Sequence, residues 1–230
     1  MIGRPVLEPR TGAPTFGIFA LFFVAIGLGY AIRTIAQSSA MTTRVAPAKP
    51  PFSAEVQRWL DRTMPPGTPP LLLFTTLARD ERLCRKFFSA GLLDRGHLTL
   101  RQREIVIDRT TALCRSEYEW GIHIAIFGAR VALTPEQIHS LVYGRPEDMC
   151  WNAEDRILLR MCDALHHDSS IDDGLWQSLR AEFSEEAMLE LLMLAGFYRT
   201  VSYLTNALQL PLEPNGARFP AADRRLAREA

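Results

Sequence analysis

The sequence predicts an all-α protein, a compact helical bundle, and three observations support that prediction. Between Leu71 and Thr134 there is no proline, and the apolar residues recur at spacings of three and four rather than two. Helix-start patterns divide the chain into short units, with no alternating strand pattern between them. The composition, 47% hydrophobic and 23% charged over 230 residues, suits a folded domain with a substantial core.

Capping residues mark the start of each predicted helix. A side-chain oxygen at such a position accepts a hydrogen bond from the first helical turn, and a Glu or Gln three residues later completes a capping box. The predicted helices are a short one after Ser53 that carries Trp59 and Leu60, then Thr99 through Cys114, Ser116 through Val131, Thr134 to near Gly144, Asn152 to about His166, Asp172 to Glu182, and Ser184 to Leu210.

The first forty residues form a separate, apolar segment. Residues 11–32 hold no charged side chain, and a helix of that length spans most of a bilayer. We therefore predict an N-terminal apolar helix in residues 1–40 that is a membrane anchor or signal-like segment, with membrane contact through residues 11–33. A cleaved signal peptide and a true start at Met41 are the alternatives. The chain is expected to be membrane-anchored if residues 1–40 are retained, and cytoplasmic otherwise.

Proline-rich and polar stretches set the remaining boundaries. Residues 41–52, which include Ala46-Pro-Ala-Lys-Pro-Pro51, are predicted to be a linker because they cannot sustain a helix. The helical domain is predicted to occupy residues 53–212. Residues 213–230 are predicted to be a polar tail that frays.

Charge and cysteine content limit the partners, metals and cofactors that we expect. The chain has 26 basic and 26 acidic residues, so its net charge gives no reason to expect a nucleic-acid partner. Its four cysteines form neither a C-x-x-C pair nor a zinc-finger pattern, and we expect no metal site. No phosphate-binding glycine loop or nucleotide fingerprint occurs, and no cofactor is expected.

A carboxylate and an imidazole are candidates for acid–base chemistry. Glu104 shares a helix row with Leu100 and Ile107, so its carboxylate lies beside the apolar face of the helix. On the next predicted helix, His123 lies one turn after Glu119. A tight turn between the two helices would bring Glu104 and His123 together, and burial and mutual charge would then shift their pKa values.

Each of these residues also has a purely structural interpretation. Glu119 is placed to complete a capping box with Ser116. His123 fits a core histidine whose ring nitrogens are satisfied by a carboxylate or a backbone carbonyl. Glu104 fits an ion pair with an arginine such as Arg109 or Arg199. Spacing alone leaves both sets of interpretations open.

The stretch from Arg103 to His123 resembles the carboxymuconolactone decarboxylase family, which includes the alkyl hydroperoxidase D proteins. The resemblance covers roughly residues 55–210. The hydroperoxidase branch has a glutamate, eleven residues, C-x-x-C, three residues and a histidine, and Glu104 and His123 match its two ends. Ser116 and Glu119 stand at the two cysteine positions. The resemblance implies a helical bundle of the alkyl hydroperoxidase D-like type and a homo-oligomer, trimeric or hexameric.

Three functions follow from these residues and this resemblance. The leading hypothesis is a cofactor-free decarboxylase or isomerase acting on a small carboxylated or lactone substrate. His123 would be the acid, Glu104 its partner and Glu119 a second base, and the residues expected to contact the substrate are Ser116, Tyr118 and Trp120.

The second hypothesis is a non-catalytic, membrane-tethered helical oligomer that binds a small ligand or a protein. The third is a thiol peroxidase like the hydroperoxidase D branch. It is disfavoured because serine and glutamate at the motif cannot form or resolve a disulfide. Cys114 lies two residues before the first cysteine position and is expected to point off that helical face.

Overall fold

The computed structural model describes residues 43–222, and in this range the secondary structure is entirely helical. The predicted all-α fold class is therefore confirmed for the domain, whereas the predicted apolar helix within residues 1–40 lies outside the described residues. The helices are α1 Ala54–Thr63, α2 Leu72–Leu77, α3 Glu81–Ser89, α4 Leu100–Leu113, α5 Glu117–His123, α6 Pro135–Tyr143, α7 Ala153–Asp168, α8 Asp173–Glu182 and α9 Glu185–Ala207.

Six of the predicted helix starts are confirmed by their capping hydrogen bonds. Thr99 and Thr134 form full capping boxes with Gln102 and Gln137. The other four caps each accept a hydrogen bond from the first turn of the helix, and they are Ser53, Asn152, Asp172 and Ser184. Sequence analysis predicted no helix start for α2 or α3, and α3 begins after a cap at Asp80.

The predicted capping box at Ser116 is wrong. The Ser116 side chain makes no capping hydrogen bond, and its hydroxyl lies 2.7 Å from the Thr205 hydroxyl on α9. Helix α5 also ends sooner than predicted, because residues Ile124–Gly128 continue it as a π-helical turn. Glu119 is consequently free of the capping role, since a capping box needs both partners.

Helix α4 is the centre of the bundle. It packs against α5, α6, α7 and α9, and every residue from Glu104 to Ala112 is buried. A helix buried on all sides has little amphipathic pattern, and here several of the buried positions carry charge. The core around it consists mainly of leucine, isoleucine and valine side chains from α4, α7 and α9.

The residues after α9 fold back over α5. The Ala217 N–H donates to the Gly121 carbonyl over 2.9 Å, and the Phe219 N–H donates to the Glu117 carboxylate over 2.9 Å. The Phe219 ring also packs edge-on against Trp120. Residues 213–220 therefore contact the helical domain, through the Glu213 carboxylate at Tyr118 and the Pro220 carbonyl at Tyr143 as well. Fraying of the tail stays a prediction.

No helix within residues 43–222 combines the length and the apolar character that crossing a bilayer requires.

Candidate functional site

The turn between α4 and α5 determines which side chains of the two helices meet. Arg115 adopts a left-handed backbone with φ of 55°. Its N–H donates to the Ala112 carbonyl, and the Ser116 N–H donates to the Thr111 carbonyl. These two bonds form a Schellman motif, which ends a helix sharply. Helix α5 therefore runs back along α4 at once, and Glu104 comes opposite His123.

Glu104 and His123 form a buried pair. The His123 Nδ1 atom lies 2.7 Å from Glu104 Oε2. Glu104 is 0% exposed and His123 is 4% exposed. Burial alone lowers the pKa of His123, but the charge and hydrogen bond of Glu104, together with Glu119, raise it to about 10. The imidazole is therefore protonated at neutral pH, and its Nδ1–H donates to Glu104.

A second carboxylate faces the other ring nitrogen. Glu119 Oε1 lies 3.5 Å from His123 Nε2, which is longer than a normal N–H···O hydrogen bond. This contact replaces the predicted capping role of Glu119. The imidazolium is thus held tightly on one side by Glu104 and loosely on the other by Glu119.

An arginine completes the charges around Glu104, and it is not one of the predicted partners. Arg103 Nε lies 3.5 Å from Glu104 Oε1. Arg109 instead forms an ion pair with Asp163, and Arg199 donates to the Tyr203 hydroxyl. The proposed pairing of Glu104 with Arg109 or Arg199 is therefore wrong.

Aromatic rings and one further carboxylate surround the pair. Phe127 stacks on the His123 ring at 5.5 Å between centroids, and Tyr198 meets that ring edge-on at 5.1 Å. Asp108 lies one turn after Glu104 and is buried. We use the name His123 cluster for the charged residues Arg103, Glu104, Asp108, Glu119 and His123.

Three residues of this region were missed by sequence reasoning. Arg103 and Asp108 flank Glu104 in sequence, and Asp108 lies at the i+4 position that shares its helix row, which was a usable signal. Tyr198 lies on α9, far from the hairpin in sequence. No local pattern could have assigned it to His123.

The three residues predicted to contact substrate have other partners in this structure. Ser116 contacts Thr205, and Trp120 packs against Phe219. The Tyr118 hydroxyl accepts a hydrogen bond from the Leu73 N–H over 3.1 Å and donates to a Glu213 oxygen over 2.5 Å. Their contribution to substrate binding remains a prediction.

The cysteines lie apart from the His123 cluster. Cys114 Sγ is 3.9 Å from His166 Nδ1, at the ends of α4 and α7. Burial raises the pKa of the Cys114 thiol, although Arg199 and Ser202 oppose the change. Within the described residues no group of three or more His, Cys, Asp or Glu side chains could hold a metal ion.

Comparison with known proteins identifies the fold. No family model matches the sequence, and no curated protein is significantly similar to it. Among solved structures, an uncharacterized peroxidase-related protein from Silicibacter sp. TM1040 superposes with a TM-score of 0.66 at 16% identity, covering 81% of this chain and 100% of that one.

Two further structures share the fold. The debrominase Bmp8 gives a TM-score of 0.62 at 14% identity, covering 76% of this chain and 95% of that chain. An alkylhydroperoxidase AhpD core protein from Ralstonia eutropha JMP134 gives 0.55 at 20% identity, covering 62% and 76%. Similarity at this level of identity concerns the fold, since one fold supports several chemistries. The fold that the resemblance implied is confirmed: the chain has the all-helical fold of the alkyl hydroperoxidase D-like proteins.

Proposed function

We propose that this protein is a cofactor-free acid–base enzyme, a decarboxylase or isomerase, that acts on a small carboxylated or lactone substrate. The observation that supports this most is the buried His123 imidazole, held at 2.7 Å by Glu104, with its second nitrogen 3.5 Å from Glu119. An acid whose position is fixed on one side and only loosely contacted on the other suits proton transfer to a substrate.

Negative charge develops on the substrate during the reaction, and His123 donates a proton to it. In a decarboxylation the carbon–carbon bond to the carboxylate breaks, carbon dioxide leaves, and the electron pair moves into a conjugated carbonyl group. The His123 Nε2–H stabilises the developing oxyanion and then protonates carbon. Water restores the imidazolium, so one proton is consumed for each carbon dioxide released.

The two carboxylates have separate tasks in this scheme. Glu104 keeps the Nδ1–H side of His123 fixed and favours the charged imidazole. Glu119 moves away from His123 Nε2 when substrate binds, and it accepts a proton during exchange with water. In an isomerase reaction, Glu119 would remove a proton from one carbon and His123 would supply one to another.

The proposal is tested by turnover measured on β-keto acids and carboxylated unsaturated lactones. His123→Ala is expected to lower turnover by about 100-fold or more, the usual contribution of a general acid, while the circular dichroism spectrum is retained. His167→Ala is the matched control, because His167 is exposed on α7, and it should retain full activity. Full activity in His123→Ala, or no turnover of either substrate class by the wild type, contradicts the proposal.

Thiol peroxidase activity has less support. The first motif position carries Ser116, whose hydroxyl contacts Thr205, and the second carries Glu119. Peroxide turnover that disappears in Cys114→Ser would favour this alternative over the acid–base proposal.

A homo-oligomer is supported by an exposed apolar stripe on α9. Leu189, Met193 and Tyr203 are 64%, 62% and 57% exposed and lie within a narrow sector of the helix. Exposed apolar side chains grouped on one face are typical of contact surfaces between proteins. We infer that copies of this chain meet through α9, and the trimer or hexamer implied by the family resemblance is one arrangement. Tethering to a membrane through residues 11–33 also remains a prediction.

Sedimentation velocity tests the oligomer. The wild type is expected to be oligomeric, and Met193→Glu should reduce its mass by introducing charge into the contact. Met149→Glu is the control, since Met149 is exposed but lies between α6 and α7. A monomeric wild type contradicts the inference.

A further inference from the structure

Asp108 is the most unusual polar residue of α4. Its side chain is 1% exposed, and neither carboxyl oxygen has a hydrogen-bond partner within residues 43–222. Other buried polar side chains of the same helix are paired: Arg109 with Asp163, and Thr111 with the Ile107 carbonyl. An ionised carboxylate in such a place is strongly disfavoured, because it has lost water and gained no donor.

The charges around Asp108 make ionisation still less favourable. On its own helix, Glu104 lies one turn away and is already negative, with Arg103 beside it. From α5 the site contains Glu119 and His123, and burial followed by the Glu104 charge raises the pKa of Asp108, with His123 opposing.

The remaining packed helices give Asp108 no compensating positive charge. Towards α7, Arg109 is engaged by Asp163, and towards α6 it donates to the Ser140 and Leu141 carbonyls. From α9 the Tyr198 phenol faces Glu104, Glu119 and Asp108, and it is neutral because burial raises its pKa.

We propose that Asp108 is a neutral carboxylic acid in the folded protein and that its O–H donates a hydrogen bond to the carboxylate of a small acid bound beside His123. This inference rests on the proposed function, because it assigns a chemical class to the ligand of the same site. It adds a recognition residue that the sequence motif does not include.

Charge balance within the His123 cluster explains why the proton on Asp108 matters. Arg103 and His123 carry one positive charge each, and Glu104 and Glu119 carry one negative charge each. With Asp108 neutral, the cluster has no net charge and accepts an anion without repulsion. With Asp108 ionised, the cluster is negative and disfavours a carboxylate. A hydrogen bond from a carboxylic acid to a carboxylate is also short and strong, which favours an acid over its neutral amide.

The protonation of Asp108 is measured first, without any ligand. In protein labelled with ¹³C at the aspartate carboxyl, the signal that disappears in Asp108→Asn should have the chemical shift of a protonated acid at pH 7. Asp155, which is buried and lies 2.7 Å from Arg101, is the internal reference for a carboxylate in an ion pair. An ionised Asp108 signal at pH 7 overturns the proposal, whatever the enzyme assays show.

Ligand recognition is then tested with malonate and its neutral diamide, which require no turnover. Malonate is expected to shift the His123 imidazole signals in the wild type and the diamide is not. Asp108→Ala should weaken malonate binding by about tenfold, the usual effect of losing one hydrogen bond to a charged group, whereas Asp108→Asn keeps a donor and most of the affinity. Equal responses to malonate and the diamide, or unchanged affinity in Asp108→Ala, overturn the recognition role even if turnover on other substrates is found.

Discussion

Helix α4 has two buried charged clusters on different sides, and they differ in how completely their polar atoms are paired. In the first, Arg109 donates to both oxygens of Asp163, at 2.7 and 2.9 Å, and to three backbone carbonyls between 3.0 and 3.3 Å. We name it the Arg109 cluster, formed by Arg109, Asp163 and the carbonyls of Ser140, Leu141 and Gly144.

The His123 cluster is more deeply buried than the Arg109 cluster, whose Asp163 side chain is 25% exposed, and yet it has unpaired atoms. Within residues 43–222 no hydrogen bond reaches Arg103 Nε, Glu104 Oε1 or the Asp108 oxygens. A polar network that is fully paired stabilises the fold, whereas unpaired buried groups cost stability and concentrate where a protein binds or reacts. Both clusters contain buried charged residues of α4. The difference in pairing indicates that the Arg109 cluster is architectural and that the His123 cluster is the candidate active site.

The largest expected effect comes from removing Arg109. Arg109→Ala removes the donor to Asp163 and to the Leu141 and Gly144 carbonyls, while the Ser140 carbonyl keeps the Gly144 N–H. The loss should be about 3 kcal/mol of unfolding free energy, the lower end of the range for a buried ion pair, because the Asp163 side chain is 25% exposed. Urea denaturation measures this loss. The titration of His123 should be unchanged, and a lowered His123 pKa would show that the two clusters are not independent.

The His123 cluster should destabilise the protein at alkaline pH. The pKa of His123 is raised from its ordinary value near 6.5 to about 10. The stabilisation that the protonated imidazole gives the folded state is therefore complete below pH 6.5 and is lost as the pH rises towards 10. The unfolding free energy should fall by a few kcal/mol across this window.

Unfolding free energies measured at several pH values in wild type and in Glu104→Gln test that expectation. The glutamine variant lacks the negative charge that holds the proton on His123, so its stability should depend much less on pH. Equal pH dependence in the two proteins would falsify the assignment of the titration to this pair.

A smaller effect is expected from the segment that covers α5. A Cβ atom at Gly121 would overlap the Ala217 carbonyl oxygen, which is backbone and cannot rotate away. Gly121→Ala should therefore cost about 1 to 3 kcal/mol, the usual penalty of overpacking. Gly196→Ala on α9 is the control, since nothing lies within 4 Å of its added Cβ, and it should be neutral or stabilising. Thermal denaturation compares the two, and equal losses would contradict the contact.

The smallest expected effect is the loss of the Ser116 hydroxyl, and it tests whether this side chain caps α5 or makes a tertiary contact. Ser116→Ala removes the hydroxyl pair with Thr205 and should cost about 1 kcal/mol. Thr205→Val also removes its hydroxyl, and with it the bond to the Ser202 carbonyl. In a double-mutant cycle, the double variant should nevertheless lose less than the sum of the two single losses, because both substitutions remove the same hydroxyl pair. Additive losses would indicate that Ser116 acts at the helix terminus after all, as Ser53 does at α1.

Much of the fold could be predicted from the sequence because its signals are local. Thr99 and Thr134 form their capping boxes with residues three positions away, and such bonds depend on little beyond the first helical turn. The pairing of Glu104 with His123 was also within reach, because a short turn joins two helices whose periodicity places both residues on facing sides.

Only the tertiary structure decided the partners of the remaining side chains. Ser116 and Glu119 satisfy a capping pattern, yet packing of α9 gives Ser116 the Thr205 hydroxyl instead, and Glu119 faces His123. The same packing leaves Asp108 buried without a donor and brings Tyr198 against the imidazole. Helix starts and faces are fixed by interactions within a few residues, so the sequence determined them. Burial and pairing depend on which distant helix fills the space, which no short pattern contains.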